Sequence, residues 1–283
     1  MKCRNGCRIA LAAVTAAALT GLAACTSSGS SDEPEGERRT SSASHAALRL
    51  AERSTDRAES VRVRSTTVMG TQLSLKADGA LDWDQGLTGT LTITYTGGTT
   101  AETMRALGIT SMDARYLPDA YYAHMGDAFA RKAGGRHWIK YAYDHLADLG
   151  GGATFGDQMR TTTPNQSIRL LLDSEDLREV GEEQVDGRAT THYSGTVAVG
   201  EVADARLREQ LQQAGVTTET VDVWVDDRDL LVKKVDRGRT ATGELTQTAH
   251  YSDYGVRVST RRPPADDTED FRNLLAQQGG SAS

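Results

Sequence analysis

The chain has 283 residues with 39 acidic and 32 basic side chains, which gives a formal net charge of −7 at pH 7. This acidic balance, without a basic stripe, argues against nucleic acid as a partner. Aromatic residues make up only 5% of the chain, so the core must consist mainly of Val, Leu, Ala and Thr. Cys3, Cys7 and Cys25 are the three cysteines. If the first two leave with a signal peptide, the mature chain can form neither an intramolecular disulfide nor a thiolate zinc site.

The first 24 residues are typical of a secretory signal peptide. They begin with basic side chains and no acidic one, and they continue with an uncharged, alanine-rich run over residues 9–24. A positive start, an apolar run and small residues at its end define such a signal, and this run is shorter than a membrane-spanning helix requires. We predict that residues 1–24 are removed on export.

The residues at the end of this run resemble the lipobox of bacterial lipoproteins. Leu22, Ala23 and Ala24 stand directly before Cys25. The resemblance implies cleavage between Ala24 and Cys25, acylation of the Cys25 thiol and anchoring in the cell membrane, in its outer leaflet and on the extracytoplasmic face. Two or more acyl chains hold a protein stably at a bilayer, whereas one chain does so only marginally. The alternative is an ordinary signal peptide that happens to end beside a cysteine.

Two segments separate this signal from the first predicted strand. Residues 26–44 are rich in Ser, Gly and Glu and contain almost no apolar side chain. Such a segment cannot bury enough surface to offset the entropy of ordering, so we predict a disordered, acylated tether over residues 25–44. Over residues 45–59, small and apolar residues recur at helical spacing, which predicts a helix.

Between residues 61 and 141 apolar and polar residues alternate, which is the pattern of half-buried strands. A turn-like pair, Asp78-Gly79, predicts a break between Leu75 and Leu81. Strands are predicted from Val61, from Leu73, and over residues 81–83, 91–95, 112–116, 121–125 and 138–141. A short helix or loop then leads to a glycine cluster at 150–152.

The second half of the chain repeats this alternation with two helices between the strands. Pro164 marks the start of a helix that continues to Leu172, and Gly215 closes a second helix that begins at Val202. Asp186-Gly187 predicts a hairpin turn. Strands are predicted over residues 180–185, 190–199, 220–225, 230–235, 245–251 and 255–260, and a last helix over 266–277. The fold class is therefore α+β, with one large antiparallel sheet and helices packed against it.

Motifs for catalysis and for metal binding are missing from the chain. The six histidines are scattered and form no His-Glu-x-x-His helix, so no metal is expected. The run from Asp226 to Asp229 lacks the ligand spacing of a calcium loop and predicts a turn between strands instead. No Gly-x-Ser-x-Gly elbow occurs, and the glycines of residues 150–156 lack the Lys of a phosphate-binding loop. We therefore predict no enzyme, no catalytic residue and no cofactor.

Several stretches resemble the LppX/LprA/LprF/LprG lipoproteins of actinobacteria, which are distant structural relatives of the LolA/LolB lipoprotein carriers. The likeness covers residues 45–262 and depends on four stretches. In chain order these are Pro118-Asp119-Ala120-Tyr121-Tyr122, Gly135-Arg136-His137-Trp138-Ile139-Lys140, the hairpin from Val185-Asp186-Gly187 to His192-Tyr193-Ser194-Gly195, and Val221-Asp222-Val223-Trp224-Val225-Asp226. The resemblance implies one domain over 45–262, a strongly curved half-barrel sheet with helices on its concave face, and a C-terminal helix and tail over 263–283. In the members of this family that carry lipid, an apolar cavity between sheet and helices takes acyl chains.

Two functions from different classes follow from these observations. The first is binding or carriage of an apolar envelope molecule, lipid or acyl chains, in a cavity lined by two apolar strand faces. The residues of this predicted pocket are Leu91, Ile93, Tyr95, Val221, Val223 and Val225. The second is a tethered sensor or interaction module whose partner is an envelope protein. Large apolar side chains are sparse and Thr is abundant on the strands, so a closed core without a cavity stays open as an alternative.

Overall fold

The computed structural model describes residues 35–131, 134–147, 156, 163–240 and 243–280. The predicted signal peptide, Cys25 and the glycine cluster at 150–152 lie outside these residues. From Glu35 onward the chain forms one compact unit.

One twelve-stranded sheet organises this unit. The strands are β1 (Ser60–Met69), β2 (Leu73–Asp82), β3 (Thr88–Gly97), β4 (Ser111–Leu117), β5 (Ala120–His124), β6 (Trp138–Ala142), β7 (Arg178–Val185), β8 (Arg188–Ala198), β9 (Thr218–Asp226), β10 (Leu231–Thr240), β11 (Gly243–Ser252) and β12 (Thr268–Asp270). Their spatial order is β12-β6-β5-β4-β3-β2-β1-β11-β10-β9-β8-β7. Only the pair of β12 and β6 is parallel. The α+β half-barrel with one large, mostly antiparallel sheet is thereby confirmed.

The sheet consists of two meanders that meet along one seam. Strands β1 to β6 follow one another in space, and so do β7 to β11. The seam is the antiparallel pairing of β1 with β11, in which Arg62 lies opposite Ser252 and Met69 opposite Leu245. The first long strand and the last long strand of the chain therefore form the middle of the sheet.

Helices cover one face of this sheet, which we call the inner face. The helices are α1 (Glu35–Arg57), α2 (Gly98–Ala106), α3 (Gly126–Ala130), α4 (Tyr143–Ala147), α5 (Asn165–Leu172), α6 (Ala205–Gln213) and α7 (Phe271–Gly280). Helices α1 and α5 pack against each other, and α5 packs on β8 and β9. Leu48 and Ala51 of α1 and Ile168 and Leu171 of α5 are fully buried there. Each fully buried Leu or Ile contributes roughly 1.5–3 kcal/mol of hydrophobic stabilisation.

Helix α1 begins earlier than the sequence predicts. It starts at Glu35 rather than His45, so residues 35–44, which we expected to be disordered, are helical. Packing of Leu48 and Ala51 fixes the helix further along, and extending a helix that has already formed is much easier than nucleating one. Residues 35–39 contain Glu and Arg, which are good helix formers, and this explains the extension.

The predicted break at Asp78-Gly79 is wrong, because both residues lie inside β2. Gly79 pairs with Val63 on one side and with Leu91 on the other. A Cβ atom added at Gly79 would collide with the Thr90 carbonyl oxygen and touch the Leu91 side chain. Glycine is required here for the close approach of β3 rather than for a turn.

The predicted strand over 255–260 is also wrong, although its alternation is real. Val256 and Val258 are half-buried while Arg257 and Ser259 are exposed, as in a strand. The segment nevertheless joins no ladder, because β1 is already paired on both edges, by β2 and by β11. It is held instead by Gly255 N, which donates to the Ser60 carbonyl oxygen at 3.0 Å. It is therefore an extended connection.

The remaining points concern the start of the last helix, one helix that was not predicted and one predicted hairpin. The last helix begins at Phe271 rather than residue 266, because Thr268–Asp270 forms the edge strand β12 beside β6. Helix α2 was not predicted, since residues 98–106 contain few apolar side chains. The hairpin at Asp186-Gly187 is confirmed, and both residues have positive φ angles of 50° and 78°, as the turn type requires.

Candidate functional site

The inner face of the sheet has two halves that differ in packing. In the first half, on β7 to β10, α5 packs on β8 and β9 and α1 packs on β7. Val221, Val223 and Leu231 are completely buried there. We call this the filled half. In the second half, on β2 to β6 and at the residue that follows β5, five apolar side chains keep part of their surface exposed: Leu75, Tyr95, Met112, Met125 and Tyr141. We call these five residues the open half.

The six residues of the predicted pocket share the inner face and lie on two strands, β3 and β9, that are not neighbours in the sheet. Leu91 and Ile93 of β3 and Val221, Val223 and Val225 of β9 all belong to the hydrophobic core. Four strands separate β3 from β9, so the two groups lie roughly 24 Å apart along the sheet. Tyr95 is the single member of the predicted pocket that belongs to the open half.

Neighbouring side chains make the open half one continuous apolar surface. Leu75 lies opposite Tyr95 in the pairing of β2 with β3. The Tyr95 hydroxyl donates to the Met112 sulfur at 3.5 Å. Asp113 pairs with His124, which places Met112 beside Met125 at the next step of the ladder. Leu75, Met112 and Met125 were not predicted as site residues, although alternation alone puts Leu75 and Met112 on the apolar faces of their strands.

Tyrosine rings extend this surface towards α7. The rings of Tyr121 and Tyr141 lie 5.7 Å apart, and those of Tyr141 and Phe271 4.7 Å apart. Burial raises the pKa of Tyr141 to about 12 and also raises the pKa of Tyr95. These hydroxyls therefore stay neutral at physiological pH. Aromatic rings with a neutral polar tip and flexible thioethers suit a long, weakly polar ligand.

A polar cluster interrupts the inner face within the filled half, on β9 and β10 beside α5. Lys234 Nζ donates to Asp236 Oδ2 at 2.6 Å and to Ser167 Oγ at 2.9 Å, and Ser167 Oγ donates to Asp236 Oδ2 at 2.9 Å. Glu219 on the neighbouring strand is 8% exposed, as are Lys234 and Asp236. Desolvation, together with the negative charge of Asp236, raises the pKa of Glu219 to about 7.

Sequence analysis did not find this cluster, for two separate reasons. Glu219 has the same strand parity as Val221 and Val223, so alternation did place it on the buried face. A β-bulge between Leu231 and Lys233 shifts the parity of β10, and only this shift turns Lys234 and Asp236 inward. No feature of the sequence marks that bulge.

The outer face of the sheet carries polar side chains together with two small apolar clusters, one around Trp224 and one around Tyr122. The ring of His192 stacks on Trp224 at 4.1 Å and is hydrogen-bonded to Glu183 Oε1 and Asp222 Oδ1, both at 2.9 Å. A shallow groove of about 500 Å³ crosses the outer face of the central strands. Its lining includes Arg64, Lys76, Asp78, Asp186, Thr92 and His250. Such mixed charges do not suit an apolar ligand.

The turn after β9 has the structural role that was predicted for it. Asp226 Oδ1 accepts hydrogen bonds from the backbone amides of Arg228 and Leu230, both at 3.0 Å. Within the residues that the structure describes, no three His, Cys, Asp or Glu side chains are grouped so that they could hold a metal ion. In the same part of the chain, no helix combines the length and the apolar character needed to cross a bilayer.

Two Streptomyces proteins are similar to this chain along most of its length. SCO4650, a proposed lipoprotein of Streptomyces coelicolor, is 59% identical over 293 residues, which covers 96% of this chain and 97% of that protein. An uncharacterized 31.2 kDa protein of Streptomyces griseus, encoded in the rplA-rplJ intergenic region, is 48% identical over 249 residues, or 83% of this chain and 82% of that protein. No protein-family profile matches the chain.

Two solved structures have the same fold. LprF from Mycobacterium bovis superposes with a TM-score of 0.51 at 13% identity, over 79% of this chain and 98% of LprF. The Mycobacterium tuberculosis lipoprotein LppX superposes with a TM-score of 0.51 at 17% identity, over 78% of this chain and 99% of LppX.

Proposed function

This chain belongs to the family of the two Streptomyces proteins, one of them a proposed lipoprotein, and has the fold of LprF and LppX; from this premise we propose that it is a lipid-anchored envelope protein that binds acyl chains on its inner face. The anchor is the acylated Cys25, and the chain is held at the extracytoplasmic face of the cell membrane. The ligand lies between the sheet and its helices, on the open half.

The observation that carries this proposal is the partial exposure of the open half. Leu75, Tyr95, Met112 and Met125 form neighbouring contacts on the helix-covered face, yet each keeps part of its surface free. In a closed core, large apolar side chains at such positions are packed on all sides. Their exposed surface amounts to an incomplete packing layer, which an acyl chain can complete.

A binding measurement on the full-length protein tests the proposal. The probe is cis-parinaric acid, a fluorescent acyl chain, added to protein purified in mild detergent. Met112→Glu should abolish the fluorescence increase, because it places a charge in the middle of the acyl-chain surface. The matched control is Val68→Glu, an exposed position on the outer face of β1, which should bind like the wild type. Equal binding by both variants would contradict an inner-face site.

The anchor has its own test, independent of the ligand. Cys25→Ser removes the thiol that the lipobox presents for acylation. We expect this variant to stay uncleaved or to be released into the medium, and we expect the wild type to carry a lipid-sized mass adduct on its first residue. Membrane fractionation and intact-protein mass spectrometry measure both outcomes. A wild type without the adduct, together with an equally membrane-bound variant, would contradict acylation at Cys25.

A second candidate function, a tethered sensor or interaction module, has the outer groove in its favour. That groove presents Arg64, Lys76 and His250 beside Asp78 and Asp186, a mixture of charges that suits a polar protein surface. Co-purification of a stoichiometric envelope protein, with no lipid in the solvent extract, would favour this function over lipid binding. Neither function requires catalysis, and we propose none for this chain.

A further inference from the structure

The last part of the chain lies along one edge of the sheet. We call residues 265–280 the C-terminal strap; they comprise a short turn, β12 and α7. Strand β12 pairs with β6 over three residues only, from Thr268 opposite Trp138 to Asp270 opposite Lys140, and the pairing is parallel. Parallel pairing is slightly less stable per residue than antiparallel pairing. Because so short a ladder contributes few backbone hydrogen bonds, side-chain contacts determine how firmly the strap is held.

The chain just before the strap is anchored by a contact whose charges do not change near neutral pH. The Arg262 guanidinium donates two hydrogen bonds to the Asp119 carboxylate, at 2.9 and 2.8 Å. The hydrogen bonds from Arg262 hold the pKa of Asp119 below its usual range, and arginine stays charged throughout. Pro263 and Pro264 follow directly and restrict the backbone. A movement of the strap would therefore leave Arg262 in place.

The strap itself is held by a histidine. Nδ1 of His137, which directly precedes β6, donates to Asp267 Oδ1 at 2.6 Å, and the backbone amide of His137 donates to the same oxygen at 2.9 Å. Its Nε2 lies 3.3 Å from Asp127 Oδ1 on α3, and the ring of His124 on β5 stacks on it at 5.9 Å. A ring that faces a carboxylate at each nitrogen can donate to both only as the charged imidazolium. The geometry therefore favours the protonated ring.

Two further charged contacts join the strap to the rest of the protein. His145 Nδ1 on α4 lies 3.7 Å from Asp270 Oδ2. Arg136 pairs with Glu269 of β12, whose pKa is held below its usual range by hydrogen bonds from Asn273 and then from Arg136. The pair of Arg136 and Glu269 keeps its charges near neutral pH. Loss of charge on the histidines would therefore loosen the strap without detaching it completely.

The pH range in which the strap is held best follows from the contact of His137 with Asp267. The hydrogen bond to Asp267 raises the pKa of His137 above its ordinary value of 6.5. The contribution of this histidine is complete below pH 6.5 and is lost as the pH rises through the raised value. Hydrogen bonds from His137 also lower the pKa of Asp267 below its ordinary value of 3.8. The strap is therefore held most firmly between pH 3.8 and pH 6.5.

The strap covers apolar surface at one end of the open half. Phe271, the first residue of α7, has its ring 4.7 Å from the ring of Tyr141. We propose that the C-terminal strap is a pH-sensitive cover for the Tyr141 end of the open half, fastened by His137 and Asp267 in weakly acidic solution and loosened in weakly alkaline solution. This inference concerns the coverage of Tyr141 and does not depend on acyl-chain binding.

Hydrogen–deuterium exchange of the full-length protein, without any ligand, tests this proposal. The exchange rates of a β12 peptide and of a β9 peptide are measured at pH 6 and at pH 9 and corrected for the chemical exchange rate at each pH. Amide exchange reports local opening, and the β9 peptide reports opening of the filled half. We expect the ratio of the β12 rate to the β9 rate to rise about two- to fivefold at the higher pH, as for the loss of a surface ion pair.

Two histidine variants are compared with the wild type. His137→Gln keeps a hydrogen-bond donor for Asp267 but carries no charge at either pH, so it should remove most of the rise in the ratio. The matched control is His250→Gln. The His250 ring is also hydrogen-bonded to a carboxylate, Asp186 Oδ2 at 2.9 Å, but it lies six strands away from β6. This control should keep the rise.

Each result either supports or overturns the proposal. A rise that vanishes in His137→Gln and persists in His250→Gln supports it, whether or not the protein binds acyl chains. A constant ratio in the wild type overturns it, and so does an unchanged rise in His137→Gln. A rise that also disappears in His250→Gln overturns it as well, because the effect would then not belong to the strap.

Discussion

The filled half and the open half of the inner face have similar secondary structure but different packing. Both consist of antiparallel strands with alternating apolar residues, and both lie on the same side of one sheet. In the filled half, Val221 and Val223 are sealed by α1 and α5, whereas in the open half Tyr95 and Met112 keep free surface. The difference shows that an apolar strand face indicates burial, while the placement of the helices decides whether that burial is complete.

The largest expected difference between the two halves follows from placing a charged side chain in each of them. Val223→Glu places a carboxylate at a completely buried position beneath α5, with no partner designed for it. Such a group costs several kcal/mol, a large part of the stability of a domain, so we expect loss of the folded state. Met112→Glu should remain folded, because its carboxylate can reach water. Circular dichroism and urea denaturation measure both, and a folded Val223→Glu variant would show that the filled half is solvent-accessible.

Replacing one leucine by alanine in each half tests the same difference in packing, with a smaller expected loss of stability. Leu171→Ala on α5 removes a fully buried side chain and should lower the free energy of unfolding by about 2–5 kcal/mol. Leu75→Ala in the open half should lower it by roughly 1 kcal/mol, because less surface is buried there. The midpoints of the urea unfolding curves, at an unchanged m-value, provide the comparison. Equal losses at the two positions would remove the distinction between the halves.

The polar cluster of the filled half predicts a dependence of stability on pH. The pKa of Glu219 is about 7 in the folded protein and near its ordinary value of 4.5 in the unfolded chain. Between these values the folded state binds more protons than the unfolded state, so the free energy of unfolding falls as the pH rises from 4.5 to 7. The total change is at most about 3 kcal/mol.

Glu219→Gln is the control for this prediction, because glutamine cannot lose a proton. Relative to the wild type, the variant should gain stability progressively from pH 4.5 to pH 7 and not below it. Urea titrations at four pH values measure the difference. A difference that stays constant with pH would mean that Glu219 is not buried beside Asp236.

The smallest expected effect concerns the Tyr95 hydroxyl. Its hydrogen bond is to the sulfur of Met112, a weak acceptor, so Tyr95→Phe should change stability by less than about 0.5 kcal/mol. Parinaric acid should bind this variant like the wild type, because the ring surface is unchanged. Binding that drops tenfold would show that the open half recognises its ligand by polar contacts and would weaken the contrast with the polar cluster.

Strand positions could be predicted from sequence because alternation is a local property. The hairpin at Asp186-Gly187 and the helix after Pro164 also depend on neighbouring residues only, and both are confirmed. Gly79 misled the prediction, because a glycine needed for close strand approach looks the same in sequence as one needed for a turn. The family and the fold could be identified from motifs that are spread over the whole chain.

The candidate site could not be predicted in the same way, because it depends on which strands become neighbours. The pocket residues on β3 and β9 have the right faces, yet four intervening strands separate them. The polar cluster depends on the bulge after Leu231 and on contacts between α5 and β10, which are distant in sequence. Lipidation at Cys25, the signal peptide and acyl-chain binding stay predictions until the experiments above are done.

The seam between the two meanders determines when the inner face of the sheet is complete. The inner face crosses that seam where Gln247 of β11 pairs with Thr67 of β1. Pairing β1 with β11 closes a loop that contains most of the chain. Closing so long a loop has a high entropic cost, and contacts between residues that are distant in sequence slow folding. Each meander can assemble from local hairpins, but the inner face is complete only after β11 has paired with β1. A partly synthesised chain that lacks β11 therefore cannot present one continuous inner face.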